Sequence, residues 1–199
     1  MIACGTKRGK VLIYQLSSGR LIAECENAHY LAISDLDIST ASGAVGTATG
    51  SSEGDLIITG GKDSKVKVWM LTNLLANNGQ CWVEFNDHSS EVTAVQFSFG
   101  ASQSRAFSCS LDKTFKVYDL PGKCIIKTIQ VQSQILRMAV DYLEQSVYLA
   151  CDNLNVYQYP LSSPSSESTT KHKKTLTHKK RVTAMTLSVD GRNLITGDA

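Results

Sequence analysis

The sequence predicts an all-β protein, and three observations on its 199 residues support this. Valine, isoleucine, threonine and tyrosine are plentiful, and these residue types favour strands. Apolar segments are short, alternate with polar residues and end at turn residues. Only residues 71–77 look helical, for about two turns. A chain of this length is also long enough to bury a core as one domain.

Bulk properties exclude several classes of protein. The sequence has no apolar run of about 18 residues and no secretory signal at its start, so we expect a soluble intracellular protein. Its six cysteines lie far apart without a Cys-x-x-Cys pair, which excludes a zinc knuckle or redox motif of local spacing. We expect reduced and mostly buried thiols. The net charge of +2 is too small to draw the whole molecule onto nucleic acid or membrane.

A short alternating pattern that ends in an aromatic ring occurs four times, at residues 11–14, 66–69, 115–118 and 156–159. Consecutive copies are separated by lengths that scatter around the ~40 to 45 residues of a four-stranded repeat unit. A histidine precedes a strand upstream of several copies, and a hydroxyl and an aspartate follow that strand. The recurring order is therefore histidine, strand, hydroxyl, aspartate, ring.

This order resembles the WD-repeat family of β-propellers, whose blades bury a hydrogen-bonded histidine, serine or threonine, aspartate and tryptophan. The resemblance implies two structural tetrads: His29, Thr59, Asp63 and Trp69, and His88, Ser108, Asp112 and Tyr118. In each tetrad the aspartate of a tight turn accepts a hydrogen bond from the histidine of the preceding loop, which ties two loops together. The first and fourth units depart from the pattern at Arg8 and Asn153, so apolar packing must hold them.

We therefore expect an all-β fold, a partial WD-repeat β-propeller of about four blades of four-stranded antiparallel sheets, truncated at both ends. The expected units are a partial blade at 1–28, blades at 29–86, 87–131 and 132–177, and a partial blade at 178–199. Because open blades expose strand edges, either a longer parent chain covers them or two copies associate through them.

Several runs are more specific than the general repeat, namely residues 29–30, 60–63, 97–100, 108–114 and 181–183. In this order they are similar to the WD-repeat subunits of the rixosome, a nuclear complex that processes precursors of the large ribosomal subunit. The resemblance implies a non-catalytic scaffold in the nucleolus or nucleoplasm, with the cytoplasm as a further location. Implied partners are two helical-repeat subunits, the midasin ATPase and pre-ribosomes. A WD-repeat adaptor of another complex is the alternative.

The same histidines and aspartates would also suit a catalytic or metal site. Repetition distributes them around a ring, however, whereas a site needs them to converge. Cys25 and His29 have the spacing of half a metal site, but no second half follows. No phosphate-binding glycine loop, nucleophile elbow or catalytic carboxylate pair is present. We predict no catalytic residue, no cofactor and no metal.

Three long insertions, at residues 41–54, 70–79 and 161–172, fall on a single face of the expected blades. Long loops often carry recognition, so we expect a family-specific contact on that face. The alternative interpretation is that these insertions are flexible loops without a binding role. Residues 162–170 have a disorder-prone composition, and Ser163 precedes a proline as phosphorylation sites do.

One dense basic region, at residues 171–181, is typical of an RNA contact or a nuclear-import signal, with a solvated surface as the alternative. Its basic residues are Lys171, Lys173, Lys174, Lys179, Lys180 and Arg181. A strand at about 173–177 would hold the two ends of the region roughly 15 Å apart, towards opposite faces.

Overall fold

The computed structural model describes residues 1–39, 55–76, 79–99, 104–161, 172–188 and 190–199. The first sheet contains β1 (Ile2–Gly5), β2 (Val11–Tyr14) and β3 (Leu21–Cys25). The second contains β4 (Ile33–Ile38), β5 (Leu56–Gly61), β6 (Val66–Met70) and β7 (Val83–Phe85). A short helix, α1 (Leu71–Leu75), follows β6.

The remaining sheets continue the pattern. The third contains β8 (Val92–Phe97), β9 (Arg105–Ser110), β10 (Thr114–Asp119) and β11 (Cys124–Gln130). The fourth contains β12 (Ile135–Val140), β13 (Ser146–Cys151), β14 (Asn155–Pro160) and β15 (Lys173–Thr177). The fifth contains β16 (Val182–Leu187) and β17 (Leu194–Asp198). Neighbouring strands in every sheet are antiparallel and consecutive in the chain, which confirms the predicted fold class, a partial propeller.

Apolar side chains fill the joints between successive sheets. Ile13 of the first sheet packs with Ile57 and Trp69 of the second. Val68 packs with Tyr118 across the next joint. Another apolar cluster joins the third and fourth sheets. Val182 of the fifth sheet packs against the fourth sheet. Because both faces of the inner strands are covered in this way, β5 is buried at every position.

The first strands of successive sheets lie side by side: β4 contacts β8, β8 contacts β12, and β12 contacts β16. We call these four the axial strands. The sheets therefore follow one another around a common axis, each with its first strand innermost and its last strand outermost.

Antiparallel alternation places the loops of every sheet on two faces. The connections between sheets share one face with the turns between second and third strands of the four-stranded sheets and with the β1–β2 turn, because β1 contacts β4 as β5 contacts β8. We call this the turn face; its residues are 6–10, 26–32, 62–65, 86–91, 111–113, 131–134, 152–154 and 178–181. The other connections form the loop face, of which residues 15–20, 39, 55, 71–76, 79–82, 98–99, 104, 120–123, 141–145, 161, 172, 188 and 190–193 are described.

The helix predicted at residues 71–77 forms at Leu71–Leu75. Met70 provides no side-chain cap, and the first turn has no acidic residue, so little local stabilisation is available. Leu71 and Leu74 are buried in the joint between the first and second sheets. Tertiary packing of these two leucines therefore holds the helix.

Candidate functional site

A buried polar network lies between the turn face and the core of the second sheet. His29 Nδ1 is 2.9 Å from Asp63 Oδ1 and 3.1 Å from Asp63 Oδ2. His29 Nε2 is 2.8 Å from Thr59 Oγ1, and Trp69 Nε1 donates to the same oxygen at 3.0 Å. The structure thus brings together all four residues of the first predicted tetrad.

The electrostatics of this network favour a neutral imidazole. Burial lowers the pKa of His29, although Asp63 opposes this effect. Burial alone would raise the pKa of Asp63, but hydrogen bonds from His29 and the Tyr30 backbone N–H outweigh it and hold that pKa below its usual value. His29 Nδ1–H therefore donates to an ionised Asp63, and its Nε2 accepts from Thr59.

The third sheet repeats the arrangement with tyrosine in place of tryptophan. His88 Nδ1 is 2.8 Å from Asp112 Oδ2, His88 Nε2 is 2.7 Å from Ser108 Oγ, and Ser108 Oγ is 3.0 Å from Tyr118 Oη. Burial lowers the pKa of His88 and raises that of Tyr118. Thr114 joins as a fifth member, because its hydroxyl donates to Asp112 Oδ1 at 2.6 Å.

The fifth sheet contains a looser version that sequence reasoning missed. His178 Nε2 is 3.1 Å from Thr196 Oγ1, and His178 Nδ1 is 3.4 Å from Asp198 Oδ2. In both predicted tetrads the aspartate follows the hydroxyl by four positions, whereas Asp198 follows Thr196 by two. An acidic residue two positions after Thr196 was the only available signal.

The first and fourth sheets use other contacts at the aspartate position. Arg8 is exposed in the β1–β2 turn. Asn153 Nδ2 donates to Tyr157 Oη at 2.9 Å, outside the core. Leu149 and Val156 are fully buried beneath it, so apolar side chains form the interior of the fourth sheet.

Side chains of the axial strands connect neighbouring sheets. The sequence patterns did not predict these contacts. Asp35 Oδ2 accepts from the Val95 N–H at 3.0 Å, and Asp37 Oδ2 accepts from the Phe97 N–H at 2.8 Å. Burial raises the pKa of both carboxyl groups. One joint further on, Arg137 Nε donates to the Thr183 carbonyl at 2.8 Å. The only feature of the sequence that indicated these contacts was the pair of aspartates, Asp35 and Asp37, at alternate positions of β4.

The axial strands also line a groove of about 260 Å³ that reaches the loop face. Phe99 stands in its lining and stacks on Tyr142, with ring centroids 5.6 Å apart. Leu143 beside them is 69% exposed. We call these three residues the loop-face patch. Because the patch is apolar and exposed, it is suited to contact with an apolar side chain of another protein and not to catalysis.

The predicted basic region is divided by β15. Lys173 and Lys174 are exposed at the start of this strand, whereas Lys179, Lys180 and Arg181 follow its other end on the turn face. Arg181 forms an ion pair with Asp152. Lys171 lies outside the described residues, as do residues 41–54 and 162–170 of the predicted insertions. The structure therefore does not bring the two basic clusters together.

Other classes of site find no support in the described residues. No group of three or more histidine, cysteine, aspartate or glutamate residues could hold a metal ion there. All six cysteines are free thiols. Within the same part of the chain, no helix is long and apolar enough to cross a membrane.

Comparison with known proteins agrees with this architecture. Residues 27–70 and 79–119 match the WD40 family, described as WD domain, G-beta repeat. The chain is 26% identical, over all of its length, to 44% of the pre-rRNA-processing protein IPI3 of Candida albicans. It is 26% identical over 92% of its length to 40% of the pre-rRNA-processing protein crb3/ipi3 of Schizosaccharomyces pombe. It is 24% identical over 95% of its length to 42% of Protein ROOT INITIATION DEFECTIVE 3 of Arabidopsis thaliana.

The chain spans less than half the length of these three relatives. The predicted resemblance to WD-repeat proteins of pre-rRNA processing is confirmed by the matches over most of the chain. Repeated antiparallel sheets and the two matched segments show that residues 27–70 and 79–119 of this chain are WD40 repeats.

Proposed function

We propose that this chain is part of a non-catalytic protein-interaction scaffold that acts in pre-rRNA processing and maturation of the large ribosomal subunit. The observation that carries the proposal is similarity over nearly the whole chain to proteins named for pre-rRNA processing. These matches extend well beyond residues 27–70 and 79–119, the segments that match the WD40 family.

The polar chemistry supports a scaffold over an enzyme. His29, His88, Asp63 and Asp112 are the residues that would otherwise suggest acid–base catalysis, and each is occupied by buried hydrogen bonds. These bonds fix the turns between strands and so keep the surface loops in a constant position. A rigid surface loses little conformational entropy when a partner binds, which favours assembly.

We propose a nuclear location, in the nucleolus or nucleoplasm, and the partners that the family resemblance implies. These are two helical-repeat subunits, the midasin ATPase and pre-ribosomes. The loop-face patch is the contact that we assign to an apolar helix of a helical-repeat subunit, because its ring pair and Leu143 offer apolar area beside a groove.

Affinity purification of the tagged full-length protein tests this function. We expect pre-ribosomal proteins and midasin among the proteins recovered by mass spectrometry. Recovery of another assembly without them would contradict the pathway and favour the generic adaptor. A matched pair of variants tests the contact: F99S/Y142S/L143S should lose a helical-repeat subunit, whereas L16S/L21S, which also alters exposed leucines, should retain it.

Direct contact with RNA is a second candidate function. Lys179 and Lys180 favour it because both are exposed and, among the described residues, neither forms an ion pair. A nuclear-import signal is the alternative use of the same residues, and fusion of residues 171–181 to a reporter protein tests that use directly.

A further inference from the structure

We propose that the turn face binds single-stranded RNA, with cations from several repeats holding the phosphates and Tyr30 stacking on a base. The inference deepens the proposed role in pre-rRNA processing, and it rests on that role for the choice of RNA as the polyanion. The proposed basic surface extends beyond residues 171–181, the basic region predicted from the sequence.

The cations come from separate parts of the chain but share one face. Backbone hydrogen bonds join each turn to a neighbouring connection: the His29 N–H donates to the Gly9 carbonyl, and the Leu111 N–H donates to the Glu91 carbonyl. An ion pair of 3.1 Å between Lys62 and Glu91 links the second sheet to the third on this face. The turns therefore form one continuous surface.

Five exposed cations on this surface form no ion pair with any described residue. They are Lys7 and Arg8 in the β1–β2 turn, Lys113 in the β9–β10 turn, and Lys179 and Lys180 before β16. Unpaired surface cations attract phosphates and release counterions when these bind. Such an excess on one face is compatible with a net charge of only +2 for the whole chain.

Most acidic groups of the turn face form ion pairs or hydrogen bonds within the protein. Asp63 and Asp112 are bonded by histidine and by backbone N–H groups, and their side chains are only 7% and 6% exposed. The acids of this face that form ion pairs with lysine or arginine are Glu26 with Lys10, Glu91 with Lys62 and Asp152 with Arg181. Asp87 is the exposed exception among the described residues of this face. With the histidines neutral, the described ranges of this face contain nine lysine and arginine residues against six acidic residues, so the face has an excess of positive charge.

Tyr30 supplies the second element that a single strand requires. Its side chain is 91% exposed, the largest exposure of any large apolar or aromatic residue described. Its backbone is held in place because its N–H donates to Asp63 Oδ2 at 2.9 Å and His29 beside it is buried. An aromatic ring on a fixed backbone is a stacking platform for an unpaired base. Bases within a duplex are already stacked, so the proposal concerns single strands.

Fluorescence anisotropy with a 20-nucleotide single-stranded RNA of mixed sequence tests the proposal on the full-length protein. The variant K7Q/R8Q/K113Q/K179Q/K180Q should bind at least about tenfold more weakly at low salt. The slope of log affinity against log salt should fall by roughly 0.7 for each phosphate contact removed. Tyr30→Ala should weaken binding by about fivefold or more and leave the slope unchanged.

Three loop-face cations provide the matched control. The variant R20Q/K123Q/R192Q removes exposed charges from the opposite face and should bind RNA as the wild type does. An unchanged slope in the turn-face variant, or an equal loss in the control, would overturn the proposal. Equal competition by polyglutamate together with normal binding by Tyr30→Ala would instead assign the face to acidic proteins. Recovery of pre-ribosomal proteins by affinity purification is scored separately, so failure here leaves the scaffold function standing.

Discussion

Trp69 Nε1 and Thr59 Oγ1 lie 3.0 Å apart in the core, and this contact forms one end of a chain of hydrogen bonds whose other end is Asp63. The indole N–H is only a donor, so Thr59 accepts from it. Because His29 is neutral and the ionised Asp63 can only accept, His29 Nε2 carries no proton and accepts from the Thr59 hydroxyl. His29 then donates from Nδ1 to Asp63. In the third sheet, Ser108 donates its single hydroxyl proton to the neutral His88, so Tyr118 Oη donates to Ser108 as the indole does to Thr59.

Replacing each ring by phenylalanine should therefore have unequal effects. Tyr118→Phe removes one hydroxyl and leaves Ser108 bonded to His88, so we expect a loss of about 1 kcal/mol in the free energy of unfolding. Trp69→Phe removes the donor and also leaves a cavity beside Ile57 and Leu74, so we expect about 2–3 kcal/mol. Urea denaturation measures both. Tyr142→Phe, at an exposed ring, is the control and should stay within about 0.5 kcal/mol.

Acid should destabilise the fold through the two buried histidines. Burial lowers the pKa of both His29 and His88 below 6.5, so the unfolded chain takes up protons first as the pH falls. Their contribution to stability is present above about pH 6.5 and is lost as the pH falls through the folded-state pKa values. We expect a slope of up to about 1.4 kcal/mol per pH unit for each histidine.

Urea denaturation between pH 7.5 and pH 5.5 measures this slope. The variant H29Q/H88Q is less stable at neutral pH but should lose most of the dependence on pH. A slope equal to that of the wild type would show that other groups control acid stability.

Asp37 should be important for its oxygens rather than for its charge. Its Oδ2 accepts from the Phe97 N–H on the neighbouring axial strand, and its Oδ1 accepts from the Ile38 N–H at 2.9 Å. Asp37→Ala leaves the Phe97 N–H without its partner and should cost about 1–3 kcal/mol. Asp37→Asn keeps one oxygen and avoids burying a charge, so we expect a change within about 1 kcal/mol.

The pH dependence of this group has the opposite sign to that of the histidines. Burial raises the pKa of Asp37 above its usual value of 3.8, so protonation of this carboxyl group favours the folded state. Its contribution to the free energy of unfolding is complete below about pH 3.8 and is lost as the pH rises through the folded-state pKa. Asp37→Asn should abolish that part of the acid response in urea denaturation. Equal destabilisation by Asp37→Asn and Asp37→Ala would show that the contact between these two sheets requires the negative charge of Asp37.

Sequence patterns predicted contacts within a sheet better than contacts between sheets. The order of His29, Thr59, Asp63 and Trp69 was enough to place these residues together, because one repeat fixes the register of its own strands. The bond from Asp37 to Phe97 depends on how two sheets meet, and no periodicity within one sheet contains that information. Similarly, residues 171–181 are contiguous in sequence but separated in space by β15. Density of charge along a chain is therefore a poor guide to density on a surface.

Thiol reactivity should distinguish the cysteines by burial. Cys109 and Cys151 are fully buried, and burial raises the pKa of each thiol to about 12. Cys124 is exposed at the start of β11. Because the thiolate is the reactive form, iodoacetamide at pH 8 should label Cys124 in the folded protein and reach the other two only after denaturation. Peptide mapping by mass spectrometry measures the labelling, and early modification of Cys109 would contradict the buried core.

Gly9 and Gly19 provide a test of the contact between a turn and the connection beside it. Both have positive φ angles, of 77° and 65°, so alanine at either position is strained by roughly 1 kcal/mol. A Cβ at Gly19 would meet nothing within 4 Å, whereas a Cβ at Gly9 would lie 2.1 Å from the His29 carbonyl oxygen. Gly19→Ala should therefore cost about 1 kcal/mol, and Gly9→Ala at least about 3 kcal/mol, because the backbone carrying His29 has to move.

Displacement of His29 would also disturb its bonds to Asp63 and Thr59, so the excess cost of Gly9→Ala should shrink when the tetrad is already broken. The double variant Gly9→Ala with Asp63→Ala should lose less than the sum of the two single losses, by about 0.5 kcal/mol or more. Additive losses would show that the turn and the tetrad are independent, since residues that share no partner add. Coupling would instead show that Gly9 is required because it allows the His29 connection to lie directly against the first sheet.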